Sequence, residues 1–234
     1  MALFTIADLH LSLGGDKPMD IFAGWQDYVQ RLQANWRRKI TPEDTVVLGG
    51  DNSWAMALKD TAADFGFIDA LPGAKVLLKG NHDYWWSTRA KMEAFFAQCG
   101  FKTLSILHNN CLFAEGVALC GTRGWMLEAG EAHDQKVLDR ELGRLQRSLE
   151  AAQQADATAE KLVFLHYPPV YHGGAFSAAV ELMQAFGVRR CFYGHLHGPA
   201  IRHAVQGVVG GIEYRLVSAD ALLFDPLKVE ETGG

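Results

Sequence analysis

The amino-terminal part of the chain alternates between short apolar runs and longer mixed segments, and this order constrains the fold more than any other feature. The apolar runs have the length and aliphatic content of buried strands and lie at 2–7, 45–48 and 74–79. The intervening segments are predicted to be helices and lie at about 22–39, 55–70 and 88–98. Alternating strands and helices predict parallel strands with helices covering the faces of the sheet.

The middle of the chain has a different character. Short apolar runs separated by turn residues predict a meander of tightly connected strands at 104–107, 111–114 and 117–120. A long helix is then predicted at about 137–155. Its leucines form a single stripe, which we interpret as a contact with the core rather than a partner-binding surface. The stripe consists of Leu138, Leu142, Leu145 and Leu149.

The alternation returns in the last third of the chain. A strand, a helix and a strand are predicted at 161–165, 177–186 and 190–193. Further strands are predicted at 201–205, 213–217 and 222–224. Because no repeat, low-complexity segment or long linker divides the chain, we expect a single domain spanning 1–234.

Composition excludes several classes of protein. Hydrophobic residues make up 49% and charged residues 21% of the chain, which is typical of a globular protein. The formal net charge of -5 makes nucleic acid an unlikely partner. No window approaches the roughly 20 apolar residues that span a membrane, so membrane insertion is not expected. The start, MALFTIADLH, has no signal-peptide pattern, which predicts a cytoplasmic protein.

Five of the predicted strands end in a polar cluster. The clusters are Asp8 with His10, Asp51 with Asn52, Asn81 to Asp83, His166, and His195 with His197. Ligand sites of α/β sheets are built beyond the carboxyl ends of strands, so these clusters are expected to meet in space. Independent turn caps would explain any one cluster, but they give no reason for the same strand position to recur five times.

The residue types in these clusters are those of a metal site. The oxygen donors are Asp8, Asp51 and Asn81, and the imidazole donors are His10, His166, His195 and His197. Mixed carboxylate and imidazole ligation suits manganese, iron or zinc, whereas an oxygen-only shell would favour calcium or magnesium. Seven ligands are too many for one tetrahedral ion, so two adjacent transition-metal ions are predicted.

The ordered clusters resemble the motifs of the calcineurin-like metallophosphoesterases. The matching blocks are Asp8-x-His10, Gly50-Asp51, Gly80-Asn81-His82-Asp83, His166 and Gly194-His195-x-His197. The runs DLHLS, GDNSWAM, LPGAKVLLKGNHDYWW and CGTRGW also resemble a bacterial group of predicted phosphohydrolases in that superfamily. The chain departs from the common Gly-Asp-x-x-Asp pattern, because Asn52, Ser53 and Trp54 follow Asp51.

The resemblance implies a fold, an activity and a division of the ligands. The fold would be a four-layer αββα sandwich with mixed sheets and flanking helices. One metal would be held by Asp8, His10, Asp51 and His197, and the other by Asp51, Asn81, His166 and His195. Asp51 would then be the bridging carboxylate. The implied activity is hydrolysis of a phosphate mono- or diester, on a small phosphorylated substrate, by attack of a metal-bridging hydroxide.

Three further residues are candidates for catalysis. His82 would stabilise the transition state or protonate the leaving oxygen, and Asp83 would hold its tautomer. The alternatives for His82 are a further metal ligand or a structural turn residue. Arg123 can clamp a phosphate through its planar fork, although a surface ion pair explains it almost as well. The tryptophans near the motifs form either a wall for the substrate or core packing, and we favour packing for Trp54, Trp85, Trp86 and Trp125.

Two rival functions use the same residues. One is a non-catalytic metal-binding scaffold, which gives no physical reason for seven convergent ligands. The other is a metal-dependent nuclease, which the acidic balance disfavours. The remaining histidines, His108, His133, His172 and His203, match no motif and are expected to be exposed or hydrogen-bonded.

Overall fold

The computed structural model describes residues 1–126, 135–172 and 174–230. Its strands, numbered in chain order, are β1 Leu3–Ile6, β2 Thr45–Leu48, β3 Ala74–Leu77, β4 Leu104–Ile106, β5 Leu112–Ala114, β6 Val117–Thr122, β7 Glu160–Leu165, β8 Val170–Tyr171, β9 Gly174–Ala175, β10 Arg190–Tyr193, β11 Gly207–Val209, β12 Ile212–Leu216 and β13 Leu227–Val229. Its α-helices are α1 Tyr28–Lys39, α2 Ala62–Asp69, α3 Arg89–Cys99, α4 Gln135–Ala155 and α5 Ser177–Ala185. Short 3-10 helices cover Leu58–Thr61 and Gly198–His203.

The strands form two large mixed sheets. The first has the order β13-β1-β2-β3-β4, with β13 antiparallel to β1 and the other neighbours parallel. The second has the order β11-β12-β10-β7-β6-β5, with a parallel centre and an antiparallel strand at each edge. Strands β8 and β9 pair separately as a small hairpin. Parallel strands need long crossovers, which here are mostly helical.

Three apolar interiors separate four layers. The first lies between α1 to α3 and the first sheet and contains Trp36, Leu48 and Phe65. The second lies between the two sheets, where the side chains of both inner faces meet. The third lies between the second sheet and the helices α4 and α5. This arrangement confirms the predicted αββα sandwich with mixed sheets.

The leucine stripe of α4 packs into the third interior. Leu145 and Leu149 are fully buried, and Leu138 and Leu142 pack against them at the partly buried end. The interpretation of this stripe as a core contact is confirmed. Gly100 also ends α3 in the left-handed conformation, with φ of 78°, as its place after the helix predicts.

The predicted meander is wrong. β4 pairs in parallel with β3 in the first sheet, whereas β5 and β6 form a hairpin in the second. The turn at Asn109 and Asn110 therefore carries the chain from one sheet to the other. Turn residues report where the chain reverses, but they do not report which sheet the next strand joins.

Several boundaries also differ from the predictions. The first helix begins at Tyr28 rather than near residue 22, because Asp27 before it has a left-handed backbone with φ of 52°. The predicted strand at 201–205 lies largely within the 3-10 helix Gly198–His203, which has a proline in its first turn. The predicted strand at 222–224 is a turn, and the edge strands β11 and β13 were not predicted.

The two sheets are joined at the carboxyl ends of their parallel strands. Ala7, which follows β1, accepts a hydrogen bond from Ala219 N and donates one to Val217 O, at 2.9 and 2.8 Å. This bridge ties the end of the first sheet to the end of β12 in the second. Every loop that carries a predicted ligand leaves its sheet at this edge. Among the described residues, no helix is long and apolar enough to cross a bilayer.

Candidate metal centre

All seven predicted ligands lie together at the carboxyl edge of the two sheets. They follow β1, β2 and β3 of the first sheet and β7 and β10 of the second. Four of them are buried, namely Asp8, His10, Asp51 and His166, and the other three are partly exposed, namely Asn81, His195 and His197. The predicted convergence of five strand ends is therefore present in the structure.

The first group of ligand atoms surrounds Asp8, His10 and His197. The Nε2 atoms of the two histidines are 3.3 Å apart, and His197 Nε2 is 3.3 Å from Asp8 Oδ1. One ligand atom from each of the three residues lies within 4.8 Å of the others. Such an arrangement fits one cation held by a carboxylate and two imidazoles.

The second group surrounds Asn81. Its amide oxygen is 2.6 Å from His166 Nε2 and 3.1 Å from His195 Nδ1. The other ring nitrogen of His166 also has a partner, because Nδ1 lies 3.2 Å from the carbonyl oxygen of Gly49. A hydrogen bond from Nδ1 to this carbonyl oxygen selects the tautomer in which Nε2 can act as a ligand.

Two carboxylates connect the groups. The Oδ2 atom of Asp51 is 3.7 Å from His10 Nε2 and 3.5 Å from His166 Nε2, so one oxygen faces a histidine of each group. Asp8 also reaches both, because its Oδ1 is 3.7 Å from His166 Nδ1. The geometry agrees with a carboxylate at Asp51 that the two groups share. It also places Asp8 where the two groups meet.

The backbone is strained where it presents the ligands. Asp8, His10, Asp51 and His195 have positive φ angles of 62°, 45°, 52° and 74°. Such angles are uncommon for residues other than glycine and cost on the order of 1–3 kcal/mol each. Their clustering at one edge indicates a functional constraint on the backbone.

Two motif glycines are required for space. A Cβ atom at Gly80 would lie only 2.0 Å from Asp51 Oδ1, and one at Gly194 would lie 2.4 Å from Asp8 Oδ2. Gly80 does not have a positive φ, so its role is to admit the Asp51 carboxylate rather than to form a left-handed turn. These positions let neighbouring strand ends approach closely enough to share ligands.

The electrostatics of the site favour neutral imidazoles at His166 and His195 and an ionised Asp8. Burial lowers the pKa of His166 to about 3 and that of His195 to about 4. Burial alone would raise the pKa of Asp8, but His197, His166 and His10 together outweigh it and hold that pKa well below its ordinary value. A metal site needs this combination, since neutral imidazole and carboxylate are the ligating forms.

Two other groups of the site have a raised pKa. Burial would lower the pKa of His197, but Asp8 and Asp220 together raise it to about 10. Burial, followed by the charges of Asp83 and Asp8, raises the pKa of Asp51 well above its ordinary value. Metal binding displaces protons from donors of this kind, so the donor set fits metal ions.

His82 lies beside the two groups of ligands. Its ring is 5.7 Å from the ring of His10 and 4.5 Å from that of Trp54, and its Nδ1 is 3.3 Å from the hydroxyl of Tyr84. The backbone N–H of His82 donates to Asp51 Oδ1 at 2.7 Å. Burial lowers the pKa of its imidazole. The ring is therefore placed next to the site and partly open to solvent.

Asp83 has a different role from the predicted one. It is fully buried, and its oxygens accept hydrogen bonds from the backbone N–H groups of Gly80, Asp51 and Asn52 at 2.8, 2.9 and 2.9 Å. It also accepts from the indole of Trp85 at 3.0 Å. Among the described residues it makes no hydrogen bond to the His82 ring. Asp83 therefore ties the β2 and β3 loops together, and the prediction that it orients His82 is wrong.

Arg123 makes an ion pair, which is the alternative to a phosphate clamp for this residue. Its Nη2 is 3.4 Å from Glu141 Oε1, and Glu141 is fully buried. The carbonyl oxygen of Arg123 accepts the backbone N–H groups of His166 and Tyr167 at 3.0 and 2.9 Å. Arg123 thus adjoins a predicted ligand through its backbone while its side chain turns toward α4.

Asp220 is a functional candidate that the sequence analysis missed. Its Oδ1 is 3.0 Å from His197 Nδ1, and its Oδ2 accepts from Gly198 N at 2.8 Å. A carboxylate in this position fixes the tautomer that presents Nε2 to a metal. Nothing in the spacing of the chain links Asp220 to His197, because it lies in the turn after β12 rather than at the end of a motif strand.

The tryptophans divide between the two predicted roles. Trp85 is buried, so core packing is confirmed for it. Trp54 is partly exposed and stacks on the His10 ring at 4.9 Å, which places it on the wall of the site. Trp25 lies within the segment 22–39 that was predicted as a helix, but in the structure it precedes α1. Its ring is 5.9 Å from the ring of His10 and 5.8 Å from that of His197. Of the unmatched histidines, His133 lies outside the described residues.

The family model of the calcineurin-like phosphoesterases matches residues 1–199, which contain all seven predicted ligands. The chain belongs to this family. It is therefore a metal-dependent phosphoesterase, and the family generally binds a dinuclear metal centre, which agrees with the two groups of ligands. No curated protein sequence gives a significant match.

Solved structures show the same fold at low sequence identity. A protein of unknown function from Aquifex aeolicus is 15% identical with a TM-score of 0.50, and the alignment covers 97% of this chain and 95% of that one. The phosphopantetheinyl hydrolase of Mycobacterium tuberculosis is 13% identical with a TM-score of 0.54, covering 100% and 98%. A third structure, from Thermus thermophilus, is 13% identical with a TM-score of 0.52, covering 91% and 86%.

Proposed function

We propose that this phosphoesterase holds two transition-metal ions and hydrolyses a phosphate ester of a small organic molecule. The observation that carries the proposal is the pair of ligand groups, with Asp51 Oδ2 placed 3.7 and 3.5 Å from a histidine of each. One group supplies Asp8, His10 and His197, and the other supplies Asn81, His166 and His195. Mixed oxygen and nitrogen donors suit manganese, iron or zinc.

The metals and the protein have separate tasks. Two bound metal ions would acidify water and neutralise the charge of the phosphate during an in-line displacement. The protein holds the ligands in their metal-binding form, because burial keeps His166 and His195 neutral at neutral pH. It also holds the strand ends in place through Asp83, which joins the β2 and β3 loops by several buried hydrogen bonds.

His82 is the proposed proton donor to the leaving oxygen. Its ring lies at the edge of the site and is partly exposed, so it can reach both the ester and solvent. A histidine in general acid catalysis contributes typically about a hundredfold or more. Tyr84, whose hydroxyl is 3.3 Å from His82 Nδ1, is the side chain that can hold its ring, in place of Asp83.

Trp54 is the proposed contact for the organic part of the substrate. Its indole is partly exposed beside His10 and His82, and the ammonium group of Lys17 lies 4.7 Å from the centre of the ring. An aromatic wall with a cation over it suits a planar or apolar group carried by a phosphate. This placement would set substrate preference without contributing a metal ligand.

Hydrolysis of matched ester pairs tests the proposal. Purified protein loaded with manganese, iron or zinc should hydrolyse an aryl phosphate monoester, its bis-aryl diester, or both, and Asp51→Ala should abolish this turnover. The ratio of the two rates assigns the enzyme as a mono- or diesterase. Metal-loaded protein that is inactive on both esters would contradict the proposal and favour a non-catalytic metal-binding scaffold. Activity confined to DNA or RNA would instead identify a nuclease.

A further inference from the structure

A group of basic side chains adjoins the metal centre at the ends of β3 and β6. Lys79 follows β3, Arg123 follows β6, and Arg144 projects from α4; we call these three residues the basic cluster. The two strand ends are in contact, since a Cβ atom at Gly121 would lie 3.3 Å from Leu78 Cδ1. The cluster therefore forms one region of the surface although its members come from three elements.

A single buried acid balances part of the charge. Glu141 is fully buried, and its Oε1 is 3.4 Å from Arg123 Nη2 and 2.5 Å from Arg144 Nη1. Its Oε2 accepts from the hydroxyl of Thr122 at 2.7 Å. Among the described residues, Glu141 is the acid that pairs with the two arginines, and none forms an ion pair with Lys79. The carboxylate holds the guanidinium groups in place and still leaves the cluster cationic.

Donors of the cluster remain unused. The Nε atom of Arg123 is buried and has no hydrogen-bond partner among the described residues. Within the same part of the chain, the Lys79 side chain makes no hydrogen bond or ion pair, and it is only partly exposed. A buried donor without an acceptor costs about 1–3 kcal/mol. An anionic ligand would satisfy both the unused donors and the excess charge.

The positive charge of the basic cluster also acts on a neighbouring histidine, His108. Burial, followed by the charge of Arg144, lowers the pKa of His108 to about 4. His108 lies at the end of β4, with its ring 5.8 Å from that of Trp86, whose buried indole nitrogen is also without a partner among the described residues. The region therefore presents several donors to an anion.

The cluster is connected to the proposed metal centre. The carbonyl oxygen of Arg123 accepts the N–H of the ligand His166 at 3.0 Å, and Lys79 lies two residues before the ligand Asn81. The ring of Tyr167 links the two regions, being 4.3 Å from the ring of His195 and 5.4 Å from that of Trp125, over which Arg123 lies at 5.1 Å. The two regions are therefore neighbours, joined through Arg123 and Tyr167.

We propose that Lys79, Arg123 and Arg144 form a second anion-binding subsite that takes a second phosphate group of the substrate. The inference rests on the proposed function, because the metal centre would hold the phosphate that is hydrolysed. Guanidinium forks and an ammonium group recognise phosphate by charge-assisted hydrogen bonds. The preferred substrate class is thus an organic molecule with two phosphate groups rather than one.

Binding of matched phosphonates tests the subsite. Isothermal titration calorimetry of the metal-loaded protein compares alkylphosphonates with α,ω-alkanebisphosphonates of the same chain length, across two to five methylene groups. At least one bisphosphonate should bind about tenfold or more tightly than its monophosphonate, since charge-assisted hydrogen bonds supply this much. In Lys79→Gln and in Arg144→Gln, the ratio of the two dissociation constants should fall toward one.

The variants are chosen so that folding does not obscure the result. Lys79→Gln removes no hydrogen bond from the described residues. In Arg144→Gln, the carboxylate of Glu141 keeps its ion pair with Arg123 and its hydrogen bond from Thr122. Arg140→Gln is the matched control, because Arg140 is an exposed arginine on the same helix, and it should keep the wild-type ratio. If no bisphosphonate binds better than its monophosphonate, the subsite is wrong and the metal centre stands. A monophosphonate that does not bind would overturn the proposed function and the subsite with it.

Discussion

Buried polar groups have different surroundings at the two edges of the sheets. At the amino-terminal edge of β3, the fully buried Lys75 donates to the carbonyl oxygens of Leu71, Gly73 and Asp69 at 2.5, 2.9 and 3.2 Å. At the start of β10, Arg190 pairs with both oxygens of Glu160 at 3.0 Å. These groups have partners within the protein, as stable interiors require.

At the carboxyl edge the buried polar groups face one another instead. Imidazole nitrogens of His10 and His197 lie 3.3 Å apart, and His10 Nδ1 has no partner among the described residues. Four of the predicted ligands there have strained backbones, including Asp8 and Asp51. The comparison teaches that the same fold satisfies its polar groups where they support structure and leaves them open where a ligand is to bind.

The largest expected effect comes from the residue that faces both groups of ligands. Asp51→Ala should lower metal affinity by more than about a hundredfold, because even an outer partner of a metal ligand is worth about 10–100-fold. Turnover of an aryl phosphate should be lost with the metal. Metal titration and a rate assay on the same preparation measure both. Full metal binding in this variant would remove Asp51 from the centre.

His82 should affect chemistry without affecting metal content. His82→Ala is expected to lower kcat about a hundredfold or more while metal stoichiometry stays at the wild-type value, because the ring donates a proton rather than a ligand. The effect should be largest for esters with poor leaving groups, since these depend most on protonation. An unchanged kcat on such an ester would exclude the proton-transfer role.

Asp220 tests whether outer residues tune the centre. Asp220→Asn should weaken metal binding about 10–100-fold, because His197 loses the carboxylate that fixes its tautomer. Asp225→Asn is the matched control in the same loop, since Asp225 pairs only with the exposed side chains of Arg38 and Lys39 among the described residues. Equal metal affinities of the two variants would show that Asp220 has no role in positioning.

The smallest effect on the site is expected at the opposite edge. Lys75→Met should lower the free energy of unfolding by about 1–3 kcal/mol, because buried carbonyl oxygens lose their donor. Metal affinity and kcat should stay within about twofold of wild type. Urea denaturation and metal titration separate the two outcomes. A loss of metal affinity without a loss of stability would contradict the division between the edges.

The predictable part of this protein is the part carried by short segments. Apolar runs with polar ends identified the strands that carry Asp8, Asp51 and Asn81, and the edge at which they meet follows from parallel pairing. The parts that failed depend on distant contacts. Adjacency in the sequence predicts that Asp83 orients His82. Its carboxylate instead accepts hydrogen bonds from backbone N–H groups of another loop. Asp220 reaches His197 only in the folded chain.

Metal stoichiometry tests the central claim most directly. Wild-type protein saturated with manganese, iron or zinc and freed of excess metal by gel filtration should retain about two ions per chain by elemental analysis, and each ion should have both nitrogen and oxygen neighbours by X-ray absorption. A value near one ion per chain, or two ions with oxygen neighbours alone, would contradict a dinuclear centre built from these seven side chains.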